Sequence, residues 1–173
     1  VSMQSASVIK AFIMAAVFDK LVYADGATEP SSDYESSLKS LLTQMITVSD
    51  NDAANELARR LGGGDFQNGA SVLNEFCQEH GYTSTHLGRE FLASNPTDDN
   101  YTSASDCCRL LSDIYSGTMV NADASADMLA LLKAQTRTGK IPSGVPSGVE
   151  TANKTGELSA GDGLGVVEND IAI

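Results

Sequence analysis

An apolar run near the start of the chain, residues 8–18, constrains the fold more than any other feature. Only Lys10 interrupts it, and its hydrophobic side chains cover more than one face of a helix. The spacing therefore predicts a buried central helix over residues 7–22. Such a helix needs other elements around it, and the 173 residues of the chain suffice for one domain with a sizeable core.

Further apolar patterns predict a shell of helices followed by two strands. Apolar residues at helical spacing indicate the helices, and alternating residues near the end indicate the strands. The predicted helices cover residues 33–46, 49–61, 69–80, 103–116 and 124–134, and the predicted strands cover residues 149–158 and 166–173. The fold class is therefore α/β, in the α+β sense, with a long polar loop over residues 82–102.

The domain organisation follows from this order of elements. We expect one domain over residues 1–173, with a mainly helical part over residues 1–145 and the first strands of a sheet over residues 146–173. Two strands do not make a stable sheet by themselves. The chain is therefore expected to be part of a larger unit.

The charge balance excludes two classes of partner. The chain has 11 Lys and Arg residues against 23 Asp and Glu residues, which gives a net charge of −12. Nucleic acid and anionic membranes would be repelled by such a surface, so neither is an expected partner. No stretch of about 18 apolar residues is present, so any membrane attachment would lie outside this segment.

The cysteine and histidine contents argue against a metal site, because two histidines and three cysteines form no close cluster in the sequence. The cysteines themselves, Cys77 and the adjacent Cys107 and Cys108, leave two alternatives open. Cys77 forms one disulfide with a member of the pair, or the cysteines are free thiols that serve as small core residues.

Lys10 is the first candidate catalytic residue. Burial disfavours the charged form of a lysine, so its amine could act as a base, unless it reaches from the helix edge into solvent. Ser7 lies three residues earlier on the same face, and a serine nucleophile needs such a neighbour. A second Ser-x-x-Lys, residues 36–39, lies off the apolar stripe of its helix and indicates a solvated surface.

Two further motifs accompany this pair. Ser-Asp-Asn at residues 49–51 precedes a helix, where by itself it would be an N-terminal cap. Lys-Thr-Gly at residues 154–156 lies in the first predicted strand. Unless the strand is twisted or bulged, alternation places Lys154 and Gly156 on one face and Thr155 on the other. Gly156 would allow another backbone or a ligand to approach closely.

The order Ser-x-x-Lys, Ser-Asp-Asn, Lys-Thr-Gly resembles the penicillin-recognising serine hydrolases, most closely the class A β-lactamase-like family. The Ser-Asp-Asn-Asp-Ala-Ala-Asn run at residues 49–55, with Leu57 and Gly62-Gly63, is also similar to the helix after the second motif in that family. Residues 99–103 and 153–158 are similar to a subgroup of secreted serine hydrolases from Gram-positive bacteria. The resemblance implies an antiparallel sheet packed against helices, with a helical subdomain. It also implies that the opening strands, the last strands and the closing helix of that fold are missing from this chain.

The resemblance assigns catalytic roles to three of these residues. Ser7 would attack the substrate carbonyl and become acylated. Lys10 would be its general base, or would share that task through water. Ser49 would relay a proton to the leaving nitrogen. The reaction would require no cofactor and no metal.

The resemblance also assigns substrate contacts. Asn51 would contact Lys10 or the substrate amide, and the Lys-Thr-Gly motif, Lys154, Thr155 and Gly156, would hold a substrate carboxylate. The backbone N–H groups of the nucleophile and of Glu157 would form the oxyanion hole. The implied substrate is a small molecule, either a β-lactam or a peptidoglycan peptide.

The sequence departs from the class A pattern in the loop between Arg89 and Asp99. Class A β-lactamases use a glutamate in a Glu-x-x-Leu-Asn pattern to drive water onto the acyl-enzyme, and this chain lacks that pattern. Glu90 is the candidate for this catalytic role, with Asp98 as another nearby acid. The alternative is that Glu90 is a solvated loop charge. We expect Arg89 and Asp99 to pair and close the loop.

The sequence is compatible with three functions. The first is a β-lactamase-like hydrolase that opens β-lactam amides through a Ser7 acyl-enzyme. The second is a D-alanyl-D-alanine carboxypeptidase or related penicillin-binding hydrolase with slow deacylation. The third is a non-catalytic domain that keeps the fold. The resemblance also implies an extracytoplasmic location, secreted or at the cell surface.

Overall fold

A computed structural model describes residues 1–93, 97–159 and 166–173. The apolar run forms the centre of the molecule, where a 3-10 turn, Ala6–Ile9, leads into α1, Lys10–Val17, and then a π-helical turn, Phe18–Val22. Every residue of α1 is buried. The predicted central helix is confirmed, but its first turn is 3-10, so that Ser7 precedes α1.

The other predicted helices are also present and surround α1. Each lies within a few residues of its expected position. A π-helical turn, Tyr34–Leu38, leads into the first of them, and their bounds are α2, Lys39–Thr47; α3, Asn51–Leu61; α4, Phe66–Glu79; α5, Ala104–Tyr115; and α6, Ala122–Lys133. α1 packs against α2, α3 and α4, and α5 packs against α6.

Side-chain caps set several of the helix starts. Asp50 caps α3 by accepting a hydrogen bond from a backbone N–H, and Ser103 caps α5 in the same way. α4 begins at Phe66 rather than at residue 69 because Asp65 caps it. α6 begins two residues earlier than expected because Asn121 is its cap.

The strands of the described residues form two antiparallel pairs. β1, Met3–Gln4, pairs with β2, Tyr101–Thr102, and β3, Asn153–Leu158, pairs with β4, Val167–Ala172. The second pair confirms the predicted strands, although β3 begins at residue 153 rather than 149. The sequence does not predict β1 and β2, because alternation cannot show in two residues.

The cysteines are free thiols in the structure. Cys77 and Cys107 are buried, and Cys108 is exposed. Burial raises the pKa of the Cys77 thiol to about 12, so this side chain behaves as a small apolar residue. None of the described helices is both long enough and apolar enough to cross a membrane.

Candidate active site

The turn that carries Ser7 and strand β3 are in direct backbone contact. A Cβ atom placed on Gly156 would lie 2.7 Å from the carbonyl oxygen of Ser5 and 2.8 Å from the backbone nitrogen of Val8. No side chain fits in that gap, so the glycine allows the strand to reach the turn. The close backbone approach predicted at Gly156 is thus observed. Ala6, directly before Ser7, has φ of 47°, a strained value for a residue with a Cβ.

Lys10 lies below this turn and is fully buried, so it does not reach into solvent. Its Nζ donates to the carbonyl oxygen of Ser49 at 2.7 Å and to Oδ1 of Asn51 at 2.7 Å. A longer hydrogen bond, 3.3 Å, runs to Ser49 Oγ. Within the described ranges the Ser7 hydroxyl makes no hydrogen bond, and such contacts often tighten only when substrate binds.

Lys154 approaches Ser49 from the opposite side. Its Nζ donates to Ser49 Oγ at 3.0 Å and to the carbonyl oxygen of Thr155 at 2.7 Å, and the side chain is fully buried. Lys10 and Lys154 therefore meet on one hydroxyl. A serine oxygen that accepts two hydrogen bonds still has its own proton to donate, which a relay requires.

Burial changes the protonation of both lysines. It lowers the pKa of Lys10 to about 7, although the nearby Asp50 carboxylate opposes this effect. It also lowers the pKa of Lys154 to about 7, and the positive charges of Lys10 and Arg137 contribute. Near neutral pH, a neutral amine is therefore accessible beside Ser49, and a neutral lysine can act as a base.

One backbone donor of the Ser7 turn has no hydrogen-bond partner among the described residues. The first internal hydrogen bond of the turn is donated by the N–H of Val8 to the carbonyl oxygen of Ser5, at 3.2 Å. The N–H of Ser7 comes earlier, where the donors of a helical turn have no internal partner. Ser7 lines a cavity of about 70 Å³, whose lining also includes Asn51 and Glu157.

Strand β3 supplies a second donor that has no partner within residues 1–93, 97–159 and 166–173. Ala152 and Ile173, just beyond the strand ends, exchange both of their backbone hydrogen bonds, at 3.0 and 2.8 Å. Bonded and non-bonded pairs alternate along antiparallel strands, so Glu157, which pairs with Glu168, occupies a non-bonded position. The N–H of Glu157 consequently points away from β4. Together with the N–H of Ser7, it can hold a developing oxyanion.

The side chains of Glu157 and Thr155 lie away from this arrangement. The Glu157 carboxylate forms ion pairs with Arg137 and Lys140, each at 3.4 Å, so only its backbone serves the cavity. Thr155 is buried on the face of β3 opposite Lys154, as strand alternation requires.

The loop after α4 is closed as expected. Arg89 Nε donates to Asp99 Oδ1 at 2.7 Å, and both side chains are largely buried. The other oxygen of Asp99 accepts from Gln4 Nε2 at 2.9 Å, which ties the loop to the segment before Ser7. The predicted Arg89–Asp99 pair is confirmed.

The two candidate acids of this loop are not brought to the nucleophile. Glu90 Oε1 accepts from Arg59 Nη2 at 2.8 Å. Asp98 Oδ2 contacts His86 Nε2 at 2.7 Å, a hydrogen bond that lowers the pKa of Asp98. Neither carboxylate lines the cavity beside Ser7 in the described part of the chain. Glu90 is thus half-exposed and bound to a surface arginine.

Two residues that sequence reasoning missed lie at the site. The amide of Asn55 accepts from the N–H of Phe91 at 2.9 Å and donates to its carbonyl oxygen at 3.2 Å. The ring of Phe91 lies 4.6 Å from Lys10 Nζ. Asn55 was visible as the last residue of the Ser-Asp-Asn-Asp-Ala-Ala-Asn run, but nothing in the sequence linked it to the loop.

Solved structures with the same fold show the class to which the fold of this chain belongs. Over 99% of this chain, an ancestral class A β-lactamase superimposes with a TM-score of 0.77 at 25% identity, and 71% of that protein is covered. The structure of PBP-A superimposes with a TM-score of 0.71 at 24% identity, covering 90% of this chain and 63% of that one. The fold of the described residues is that of class A β-lactamases.

Sequence relatives specify the family. Residues 24–173 match the family described as the Beta-lactamase enzyme family. The chain is also 31% identical over 151 residues to Beta-lactamase 3 of Bacillus cereus, a match that covers 84% of this chain and 44% of the relative. The chain therefore belongs to the class A β-lactamase-like family of serine hydrolases. It spans less than half the length of that curated relative.

Proposed function

We propose that the protein containing this chain is a serine hydrolase that opens carboxylate-bearing amides through an acyl-enzyme on Ser7. The observation that carries the proposal is the meeting of two buried lysines on one hydroxyl, with Lys10 at 3.3 Å and Lys154 at 3.0 Å from Ser49 Oγ. Ser7 and Glu157 line one cavity, and their N–H groups have no partner in the part of the chain that the structure describes. A base, a relay and an oxyanion hole are the parts that acyl transfer needs.

The proton path of the proposed reaction follows from these contacts. Neutral Lys10 takes the proton from the Ser7 hydroxyl while Oγ bonds to the amide carbon. The carbonyl oxygen gains the negative charge and is held by the N–H groups of Ser7 and Glu157. The C–N bond then breaks as Ser49 gives a proton to the leaving nitrogen and recovers one from a protonated lysine. Lys154, when charged, attracts the substrate carboxylate.

The substrate class we favour is the D-alanyl peptide of the cell wall, with β-lactams as slowly released acylating agents. Glu90, the candidate for driving water onto the acyl-enzyme, forms its ion pair with Arg59 instead. Without a placed base, hydrolysis of the ester is slow. The likeness to PBP-A agrees with this choice. A location outside the cytoplasm follows from the same substrate, and cell fractionation of the native host tests it.

The second candidate is a β-lactamase with rapid turnover. The name of the Bacillus cereus relative and the ancestral class A β-lactamase favour it. A non-catalytic domain has less support, because all three motifs are intact and Lys10, Ser49 and Lys154 are brought together.

Intact-mass spectrometry of the full-length protein with excess penicillin tests these candidates. An adduct of one penicillin that requires Ser7 and persists for hours supports the peptidase-type function. Rapid consumption of penicillin with little adduct supports the β-lactamase. The control is Ser7→Ala, which should give neither adduct nor hydrolysis. If the parent protein also gives neither, the proposal of a Ser7 acyl-enzyme fails.

A further inference from the structure

The position of Phe91 is fixed by contacts with two helices. Asn55 of α3 holds both backbone groups of Phe91, at 2.9 and 3.2 Å. The ring then extends to Lys10 at the start of α1, with its centroid 4.6 Å from Nζ. The preceding side chain, Glu90, points to Arg59 and does not compete for this place. The loop thus presents an apolar ring, and not an acid, to the buried lysine.

The ring completes the enclosure of Lys10. Polar atoms of Ser49 and Asn51 take the hydrogen bonds of Nζ, while the ring of Phe91, which lines the cavity beside Ser7, packs against the amine. The attraction between an ammonium and a ring is worth about 0.5–2 kcal/mol and favours the charged amine. Burial acts in the opposite direction, and it is the stronger effect, since the pKa of Lys10 is lowered.

We propose that Phe91 is a positioning residue that keeps water away from Lys10 and thereby prolongs the acyl-enzyme. The inference rests on the proposed acylation of Ser7. To release the acyl group, a water oxygen must bond to the ester carbon while a base takes the water proton. The ester bond to Ser7 Oγ then breaks and the serine recovers its proton. Lys10 is the base nearest to Ser7 by sequence and helix geometry, and the ring of Phe91 occupies the space in which water would meet it.

The test compares acyl-enzyme lifetimes in the full-length protein after a single acylation by penicillin. Phe91→Ala should shorten the lifetime by at least about tenfold, since a positioned base typically accelerates proton transfer by more than that. Phe91→Leu removes the aromatic ring but keeps an apolar side chain over Lys10. The acyl-enzyme lifetime of this variant should therefore stay within about threefold of the parental value. Asn55→Ala frees the loop and should shorten the lifetime as well.

Tyr115→Ala is the matched control. It also removes an aromatic ring, but from an exposed position at the end of α5, and it should leave the lifetime unchanged. Thermal unfolding of each variant separates loss of the ring from loss of the fold.

A second readout separates this role from a merely structural one. Removal of the Phe91 ring lets water reach Lys10, which should raise the pKa of this lysine. In a plot of acylation rate against pH, the rise on the acid side should therefore move to higher pH in Phe91→Ala. The charged groups around Lys10, namely Asp50, Arg137 and Lys154, are unchanged in this variant. Phe91→Leu should keep the parental profile.

The outcomes distinguish this inference from the proposed function. If the parent is acylated and Phe91→Ala shows both the parental lifetime and the parental pH profile, Phe91 has no such role while the acyl-enzyme remains. A longer lifetime in Phe91→Ala also overturns the inference. If no variant and no parent is acylated, the proposed function has failed, and the inference falls with it.

Discussion

Lys10 and Lys154 donate hydrogen bonds to the same atom, Ser49 Oγ, from residues 144 positions apart in the chain. Because both amines are buried and both pKa values are lowered to about 7, the pair cannot carry two full charges at neutral pH without cost. The chemistry proposed above needs one amine neutral and the other charged. This contact therefore ties catalysis and substrate binding to one narrow range of pH.

The rate of Ser7 acylation by a carboxylate-bearing β-lactam should follow a bell-shaped curve centred near pH 7. It should rise as Lys10 loses its proton, because the neutral amine is the base. It should fall above the pKa of Lys154, because the neutral amine no longer attracts the substrate carboxylate. Stopped-flow measurement with a chromogenic β-lactam gives the curve.

The control for this curve is Lys154→Arg. A guanidinium keeps its charge throughout the accessible pH range, so the alkaline limb should disappear in this variant. An alkaline limb that persists unchanged would assign it to another group.

Gly156→Ala should lower the acylation rate by about 10²–10³, the loss typical of one oxyanion-hole donor. The added Cβ would meet the backbone of Ser5 and Val8, so β3 must move away from the Ser7 turn and take the N–H of Glu157 with it. Gly139→Ala is the control, because no atom lies within 4 Å of its Cβ position. Equal acylation rates in both variants would contradict the oxyanion site.

Glu90→Gln should leave the release of the acyl group within about twofold of the parent, whereas loss of a true general base costs about 10²–10⁴. The reason is its ion pair with Arg59, which holds the carboxylate outside the cavity. The half-exposed pair should contribute no more than about 1 kcal/mol to stability. Glu75→Gln, at an exposed position on α4, controls for the change of charge. A large fall in release for Glu90→Gln would make this residue the base.

Arg89→Met should destabilise the protein by about 3 kcal/mol, because it leaves the buried Asp99 carboxylate without its cation. The exposed fractions of the two side chains are 13% and 6%. Glu35→Gln breaks the exposed pair with Lys39 and should cost no more than about 0.5 kcal/mol. Denaturant unfolding of both variants makes the comparison, and similar losses would show that the Arg89 pair is solvated.

Cys108 should react rapidly with an aromatic disulfide reagent in the folded protein, while Cys77 and Cys107 should react only after unfolding. Cys108 is exposed, whereas burial raises the pKa of Cys77 to about 12 and that of Cys107 to about 11. Timed thiol counts under native and denaturing conditions check this. Only one reactive thiol after unfolding would indicate a disulfide.

Patterns along the sequence were enough to locate α1 to α6, the strand pair and the residues of all three motifs. Helical periodicity is strong where one face of a helix is buried. Gly156 indicated a close backbone approach, because only a residue without a Cβ permits it. The Arg89–Asp99 pair was also predictable, since two opposite charges flank one short loop.

The position of the loop relative to α1 was not predictable. The contact between Phe91 and Lys10 joins residues 81 apart in the chain, and the loop has no periodicity to orient its side chains. Glu90 was a reasonable candidate by composition. Its orientation depends on Arg59, a residue of α3 whose direction is set by the packing of that helix and not by any local pattern.

The backbone contact at Gly156 has an evolutionary consequence. Where β3 meets the Ser7 turn, main chain packs against main chain, and any side chain at position 156 would force these two segments apart. Part of the cavity lining, in contrast, consists of loop side chains such as Phe91. There a single codon change alters both the size and the polarity of the cavity. Selection for a different substrate would therefore act on the loop and leave the strand untouched.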